Sequence, residues 1–299
     1  GYLTNMLPKF YNYMFWFSIA LTLTAVILVG IYGLNFGVDF KGGTVVELEF
    51  SSGRPEISAI QGALAQSNAV ISPAGDNGII VRAGQMTEPE HQQLLSRLRA
   101  AFPESGLREQ KFDSVGPVIG NELRSKSIKA IILVLLSVTV YMTIVFRRIS
   151  GTVPSWMMGV TAIIALLHDV VIPTGVFALL GRYQGVEISA VFVAAVLTIL
   201  GYSVSDTVVV FDRVRENVIK EGSKQDFGLT VHKSVMQTLT RSLNTTFTTL
   251  LALIAIYLFG GESIRYFALA LIMGIFLGAY SSIFVASPVL VWAYKRKRG

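Results

Sequence analysis

Residues Ile188 to Phe211 read ISAVFVAAVLTILGYSVSDTVVVF, a run whose single charged side chain is Asp206. A helix rises 1.5 Å per residue, so about 20 such residues cross the hydrocarbon core of a bilayer. Five further runs meet the same requirement: Met14 to Leu34, Ile128 to Phe146, Pro154 to Leu180, Ser242 to Phe259 and Tyr266 to Tyr294. The last is longer than a perpendicular crossing needs, which predicts tilt or a break near Pro288. Whole-chain composition agrees: 299 residues, 52% hydrophobic and 15% charged, with a mean hydropathy of +0.58. Soluble domains carry about 25% charged residues. The pattern predicts an α-helical membrane protein with six transmembrane helices.

The loop charges predict its orientation. One set of connecting segments holds Lys9, Arg147, Arg148, Arg213, Arg215, Lys220, Lys224, Lys233 and the tail Lys295 to Arg298, against Asp212, Glu216, Glu221 and Asp226. The short loops on the other side hold Arg182 and Arg265, each with an acid nearby, Glu187 and Glu262. Both termini are therefore expected in the cytoplasm, and the net charge of +6 reflects topology rather than a nucleic-acid partner. The expected layout is a cytoplasmic N-terminus and first span over 1–34, an extracytoplasmic domain over 35–127, the other five spans over 128–294 and a basic tail over 295–299. The first apolar run is too long for a cleavable signal peptide. Zero cysteines exclude a disulfide framework, a thiolate zinc site and a cysteine nucleophile.

The extracytoplasmic insert has the periodicity of a folded α+β domain. Thr44, Val46, Leu48 and Phe50 alternate with Glu47 and Glu49, which marks a strand with one buried face. Pro55 opens a helical pattern carrying Ile57, Ile60 and Leu64. Val70-Ile71 and Ile79-Ile80-Val81 flank Gly75-Asp76-Asn77-Gly78, a hairpin signal. Thr87 and Glu90 match a capping box ahead of the stripe Leu94, Leu95, Leu98 and Phe102, and a weaker strand runs from Leu107 to Val115. The order βαββαβ predicts a ferredoxin-like domain. His91 is expected on the polar face of its helix, in water. Nothing in the insert looks catalytic, and no enzyme activity is expected.

Ionisable groups inside spans are expensive, so each needs a reason. Asp169 sits beside His168 in span three, Asp206 in span four and Arg241 at the start of span five. Span four runs inward and span five back out, so Asp206 and Arg241 fall within about two helical turns in depth. They can form a static ion pair that fixes helix register. Alternatively, Asp206 is a proton carrier whose affinity for H⁺ is switched by the distance of the guanidinium. Tyr202, Ser203, Ser205, Thr207, Ser242, Asn244, Thr245 and Thr246 could line a hydrated path, or simply bond helix to helix. His168 and Asp169 are either a polar knot or a proton relay. No second histidine or carboxylate stands at ligand spacing in that span, so no metal is expected, and no cofactor motif is present.

Gly37-Val38-Asp39-Phe40-Lys41-Gly42-Gly43-Thr44 follows span one. Walker spacing and its Gly-Lys-Ser/Thr step are missing, so Gly37, Asp39, Gly42 and Gly43 are expected to form a hinge rather than a phosphate loop. Asp212-Arg213-Val214-Arg215-Glu216-Asn217 alternates in charge, and local pairing on a helix face accounts for it.

These segments carry a resemblance. The Gly37–Thr44 loop, Ala165-Leu166-Leu167-His168-Asp169-Val170, the run Gly201–Asn217, Gln237–Thr246 and Tyr257-Leu258-Phe259-Gly260-Gly261 are together similar to the SecF subunits of the SecD–SecF protein-export complex. The resemblance extends along nearly the whole chain. It departs at Lys41, where the family often has Thr, and at Ser205, where it has Asn.

The resemblance implies a fold like the proton-driven RND transporters, pairing with SecD, and work beside the SecYEG channel and SecA on unfolded preproteins at the bacterial inner membrane, among its lipids. It implies that Asp206 and Arg241 are tied to proton movement and that the outer domain faces substrate. A first residue of Gly rather than Met suggests the second half of a fused SecD–SecF polypeptide. The expected cycle is protonation of Asp206 from outside, release of Arg241, a helix shift carried through the Gly37–Gly43 hinge, and proton release inside. A small-molecule efflux pump of the RND type is the alternative, although an insert of about a hundred residues is small for one. A purely structural partner of SecD would instead tolerate substitution of Asp206 and Arg241.

Overall fold

A computed structural model describes residues 7–65, 69–149, 154–221 and 226–298. Gly1 and Lys224 lie outside the described residues. The chain divides into two compact units, Gly1–Asn35 with Lys129–Gly299, and Phe36–Ile128.

The first unit is helical. Helix α1 spans Lys9–Tyr32, α5 Pro117–Val145 (in this unit from Lys129 on), α6 Ser155–Gln184, α7 Ala190–Glu221, α8 Phe227–Phe259, α9 Glu262–Ser281 and α10 Ser287–Arg298. Counting α9 and α10 as one path, six are long and apolar enough to cross a membrane. Several helices outrun the apolar segments that announce them. The fourth span continues ten residues past Phe211 to Glu221, and the fifth begins at Phe227 rather than Ser242. The Asp226 carboxylate starts it, accepting from the Gly228 and Leu229 N–H groups at 2.8 and 3.3 Å. Arg241 is therefore well inside a helix. Between α9 and α10 the chain widens into a π-helical turn over Ser282–Ala286, just ahead of Pro288. Proline has no N–H, and its ring crowds the carbonyl four residues back, so the break falls there. Small residues let helices approach: a Cβ on Gly175 of α6 would lie 2.6 Å from Ala25 Cα of α1.

The second unit contains α2 (Val38–Lys41), β1 (Gly43–Phe50), α3 (Ile57–Ala63), β2 (Val70–Ala74), β3 (Gly78–Ala83), α4 (Glu88–Ala101) and β4 (Leu107–Val115). The sheet is antiparallel in the order β2-β3-β1-β4, the ferredoxin-like arrangement that βαββαβ implies. Val46, Leu48 and Phe50 on β1 and Ile79 and Val81 on β3 point to one face. Ile60 and Leu64 on or beside α3, and Leu94, Leu95 and Leu98 on α4, cover that face. Alternation on the strands and i, i+3, i+4 spacing on the helices produce this core directly. The Thr87 N–H donates to Glu90 Oε2 at 2.7 Å, closing the start of α4.

Candidate functional site

Asp169 is the hub of the helical unit. It is fully buried, and three helices meet at its carboxylate. His168 Nδ1 lies 2.8 Å from Oδ1; Ser203 of α7 and Ser281 of α9 donate to Oδ2 at 2.5 and 2.7 Å. A carboxylate with donors on both oxygens is a satisfied buried acceptor. Pro173, one turn on, has no N–H to offer the Asp169 carbonyl, which leaves the backbone here more polar. Gly278 admits α9 to the site, since a Cβ there would stand 3.0 Å from that of Ser203. The His168 ring stacks on Tyr280 at 6.1 Å between centroids, and its Nε2 is buried without a partner.

Asp206 of α7 lies within electrostatic range of Arg241 of α8 and, less strongly, of Asp169. Ser242 of α8 donates to its Oδ1 at 3.1 Å, while Oδ2 is buried and unpartnered. The Thr207 and Thr246 hydroxyls nearby are also buried without partners.

The expected contact between Asp206 and Arg241 is not made. Their depth does match: Asp206 stands 221−206 = 15 residues before the end of α7, and Arg241 stands 241−226 = 15 after the cap of α8. Rotation about the helix axis keeps the two side chains out of direct contact, although the guanidinium stays within electrostatic range of the carboxyl. The buried stripe of α8 runs through Val231, Ser234, Val235, Thr238, Ser242 and Thr246. Arg241 lies about 100° off Ser242 and is exposed. Ser205, Asn244 and Thr245 are exposed too, whereas Ser203, Thr207, Ser242 and Thr246, of the eight polar residues expected to line a path, face inward.

The glycine loop is a packed turn. Gly42 and Gly43 have φ of 77° and 128°, conformations that favour glycine. A Cβ on Gly42 would meet Pro117 Cα at 2.9 Å, and one on Gly43 the Ala83 carbonyl at the same distance. Gly37 precedes α2 in extended conformation, and Asp39 sits within that helix. Beside this segment, burial works against the Lys111 ammonium. Asp113 at 2.7 Å, with Glu47 and Asp39, outweighs burial and holds Lys111 above the ordinary lysine range.

Two further side chains differ from expectation. His91 is not in water: it is 4% exposed, stacked on Phe112 of β4 with centroids 3.8 Å apart, and Nε2 is 3.2 Å from Glu109. It belongs to the apolar stripe, since 91, 94, 95 and 98 follow i, i+3, i+4, i+7. In the charged run ending α7, Arg215 pairs locally with Asp212 at 2.6 Å. Asn217, however, is buried and donates to Ser234 Oγ and Gln237 Oε1 of α8 at 2.8 and 2.9 Å, clipping the two helices together.

This geometry, with a carboxylate hub where three long apolar helices meet and a glycine turn before a ferredoxin-like sheet, has known counterparts. The family model for the C-terminal part of the SecD/SecF protein export membrane proteins matches residues 97–296, and the SecD/SecF GG motif matches residues 27–53. The chain belongs to the SecF family. It is 40% identical over 295 residues to the protein translocase subunit SecF of Thermobaculum terrenum, covering 93% of this chain and 90% of that one. Against the protein translocase subunit SecDF of Brucella abortus it is 37% identical over 278 residues, covering 90% of this chain and 35% of that longer one. The crystal structure of SecDF from Thermus thermophilus, described as a translocon-associated membrane protein, superposes with a TM-score of 0.81 at 34% identity. The alignment covers 96% of this chain and 38% of that chain. As a SecF-family chain with six apolar crossing helices, this is a multi-pass membrane protein. The GG motif is Gly42-Gly43, the pair whose positive φ angles and close neighbours exclude side chains.

Proposed function

We propose that this chain is the SecF subunit of a protein-export translocase. Paired with SecD, as a separate chain or within one fused polypeptide, it uses proton flow across the bacterial cytoplasmic membrane to complete preprotein translocation beside the SecYEG channel and SecA. Both termini face the cytoplasm, and residues 35–127 form the outer, preprotein-facing domain.

In this reading Asp206 is the proton carrier, Ser242 holds it, and Asp169 with His168 lies on the same route. Thr207 is the polar neighbour that faces inward. Arg241, Ser205, Asn244 and Thr245 are exposed in this chain alone; in a bilayer a guanidinium there needs a counter-charge, and SecD is the surface that supplies it. Proton uptake and release at Asp206 shifts α7 against α8. The packed turn at Gly37, Asp39, Gly42 and Gly43 is the pivot through which that shift reaches the outer domain. A potential of 100 mV offers about 2.3 kcal/mol per charge, enough to bias a two-state element.

The observation that supports the reading most is Asp206 itself. It is a buried carboxyl in an apolar bundle with one oxygen hydrogen-bonded and the other without a partner, an arrangement more suited to a group that changes protonation than to a structural lock. The test is preprotein translocation into membrane vesicles with and without an imposed gradient, comparing the native chain with Asp206→Asn at matched expression and SecD assembly. Loss of the gradient-stimulated part alone is expected; unchanged export overturns the assignment.

A further inference from the structure

A partly open, largely apolar groove of about 590 Å³ lies between α1, α6 and the π-turn with α10, walled by Phe15, Ser18 and Thr22, by Leu167 and His168, and by Trp292 among others. Its α10 residues and Phe15, Ser18 and Ile19 of α1 fall in the half of the bundle nearer both chain termini, and Thr22 lies just past the middle of α1. The one imidazole in its wall, His168, is 4% exposed, and its Nε2 is the ring atom that no hydrogen bond satisfies.

The hydrogen bonds at Asp169 fix which atom of this cluster is free to change. Oδ2 already accepts from Ser203 and Ser281, so Oδ1 is left for the imidazole, and with Asp169 ionised Nδ1 carries the hydrogen between them. Protonating Asp169 on Oδ1 would reverse the bond to Nδ1 and force the ring to its other tautomer. Adding or removing a proton at Nε2 breaks none of these bonds. A buried polar atom left without a partner calls for a reason, and a change of protonation state is one. Against the ring stand Asp169 on its own helix and the Tyr280 ring of α9; Asp206 of α7 is within electrostatic range of Asp169 and of Arg241 of α8. The lining residues contributed by α1, the π-turn and α10 carry no ionisable group.

We propose that His168 Nε2 is a second proton-binding atom of the bundle, distinct from Asp206, and that it exchanges its proton through the groove on the side of the chain termini. Asp169 is then the positioning residue: it holds the Nδ1–H tautomer and keeps its negative charge while the ring alternates between neutral and cationic. The ligand is a proton, carried to and from Nε2 by water that enters the groove transiently. This inference rests on the reading of the bundle as a proton route, and it adds the atom and the access side.

The experiment is ¹⁵N-histidine solid-state NMR of the full chain in lipid bilayers, from pH about 8 to about 5, the range in which imidazole ordinarily changes charge. The chain has three histidines, so His168→Gln assigns the signal, and His91→Gln with His232→Gln assigns it by elimination if that variant does not fold. Nε2 of His168 is expected to move from the unprotonated to the protonated position while Nδ1 stays protonated. An Nε2 signal that stays constant, or a change at Nδ1, overturns the proposal.

Val289→Phe, which fills the groove from α10, is expected to slow exchange of the Nε2 proton with solvent deuterium; an unchanged rate overturns the access route. The two readings fail separately. A silent Nε2 alongside loss of gradient-driven export in Asp206→Asn removes only His168. A titrating Nε2 alongside export insensitive to Asp206→Asn removes only the role of Asp206.

Discussion

The Ser242 hydroxyl of α8 donates to Asp206 Oδ1 of α7 at 3.1 Å, across the antiparallel pair joined at the charged end of the bundle. This single bond ties the rotation of α8 to the carboxyl, and Arg241, the next residue back, turns with it. Replacing Ser242 by Ala leaves both oxygens of Asp206 without a hydrogen bond. A loss of about 1–3 kcal/mol is expected for a buried acceptor left unsatisfied. Thermal unfolding of the purified chain measures it, and a melting temperature equal to that of the native chain would show that the bond contributes nothing.

Asp169 should be less replaceable still. Asp169→Ala strands the Ser203 hydroxyl and the Nδ1–H of His168 in a dry site and leaves Ser281 only the Gly278 carbonyl at 3.2 Å, for an expected loss of about 3–5 kcal/mol. Asp169→Asn keeps an acceptor oxygen but loses the charge, and should fall between Ala and the native residue. The same unfolding series ranks the three, and equal stabilities would contradict the three-helix hub.

Glycines at helix contacts differ in what they tolerate. A Cβ on Gly175 would lie 2.6 Å from both Cα and Cβ of Ala25, whereas nothing lies within 4 Å of one on Gly201. Gly175→Ala is therefore expected to force α1 and α6 apart and cost about 1–3 kcal/mol. Gly201→Ala should instead stabilise the isolated chain by about 0.5–1 kcal/mol through helix propensity. Opposite shifts in melting temperature are the expected result.

The sheet-bearing unit has an acid-sensitive helix start. The backbone N–H of Thr87 and then its hydroxyl donate to Glu90, and these bonds hold the Glu90 carboxyl below the ordinary glutamate range. A folded value below the unfolded one, near pH 4.3, means the contribution is complete above that pH and is lost as pH falls through the folded value. Amide exchange in the first turn of α4, followed by mass spectrometry on the full chain, should accelerate below about pH 4. Glu90→Gln should lack that step; an acid step persisting in the variant would assign it to another group.

Much of this molecule is legible in its sequence because the relevant forces act over a few residues. The apolar runs exceed the bilayer thickness, so spans follow from length alone. In the insert, alternation at Thr44 to Phe50, the Gly75–Gly78 turn and the Thr87–Glu90 box each report a local geometry, and together they leave a four-stranded order few alternatives. The hub at Asp169 was half visible: an aspartate mid-span with a proline four residues on signals a polar site, but its donors do not. Ser281 is 112 residues away in the chain, and serine in a span is too common to mark.

Amino-acid order by itself determined the six helices, the βαββαβ insert and the depth at which Asp206 faces α8. Only the tertiary structure decided which residue of α8 meets Asp206. Depth follows from a rise of 1.5 Å per residue, whereas facing follows from rotation, and neighbouring residues differ by about 100°. Packing of Val231, Val235 and Thr246 against the bundle sets that rotation, turning Ser242 inward and leaving Arg241 outside. The same holds for His91, which one helix alone leaves on its flank and which Phe112 of β4, supplied by a strand paired through β1, takes into the core. Length and period are carried by the chain locally; the choice among faces belongs to whatever the helix packs against.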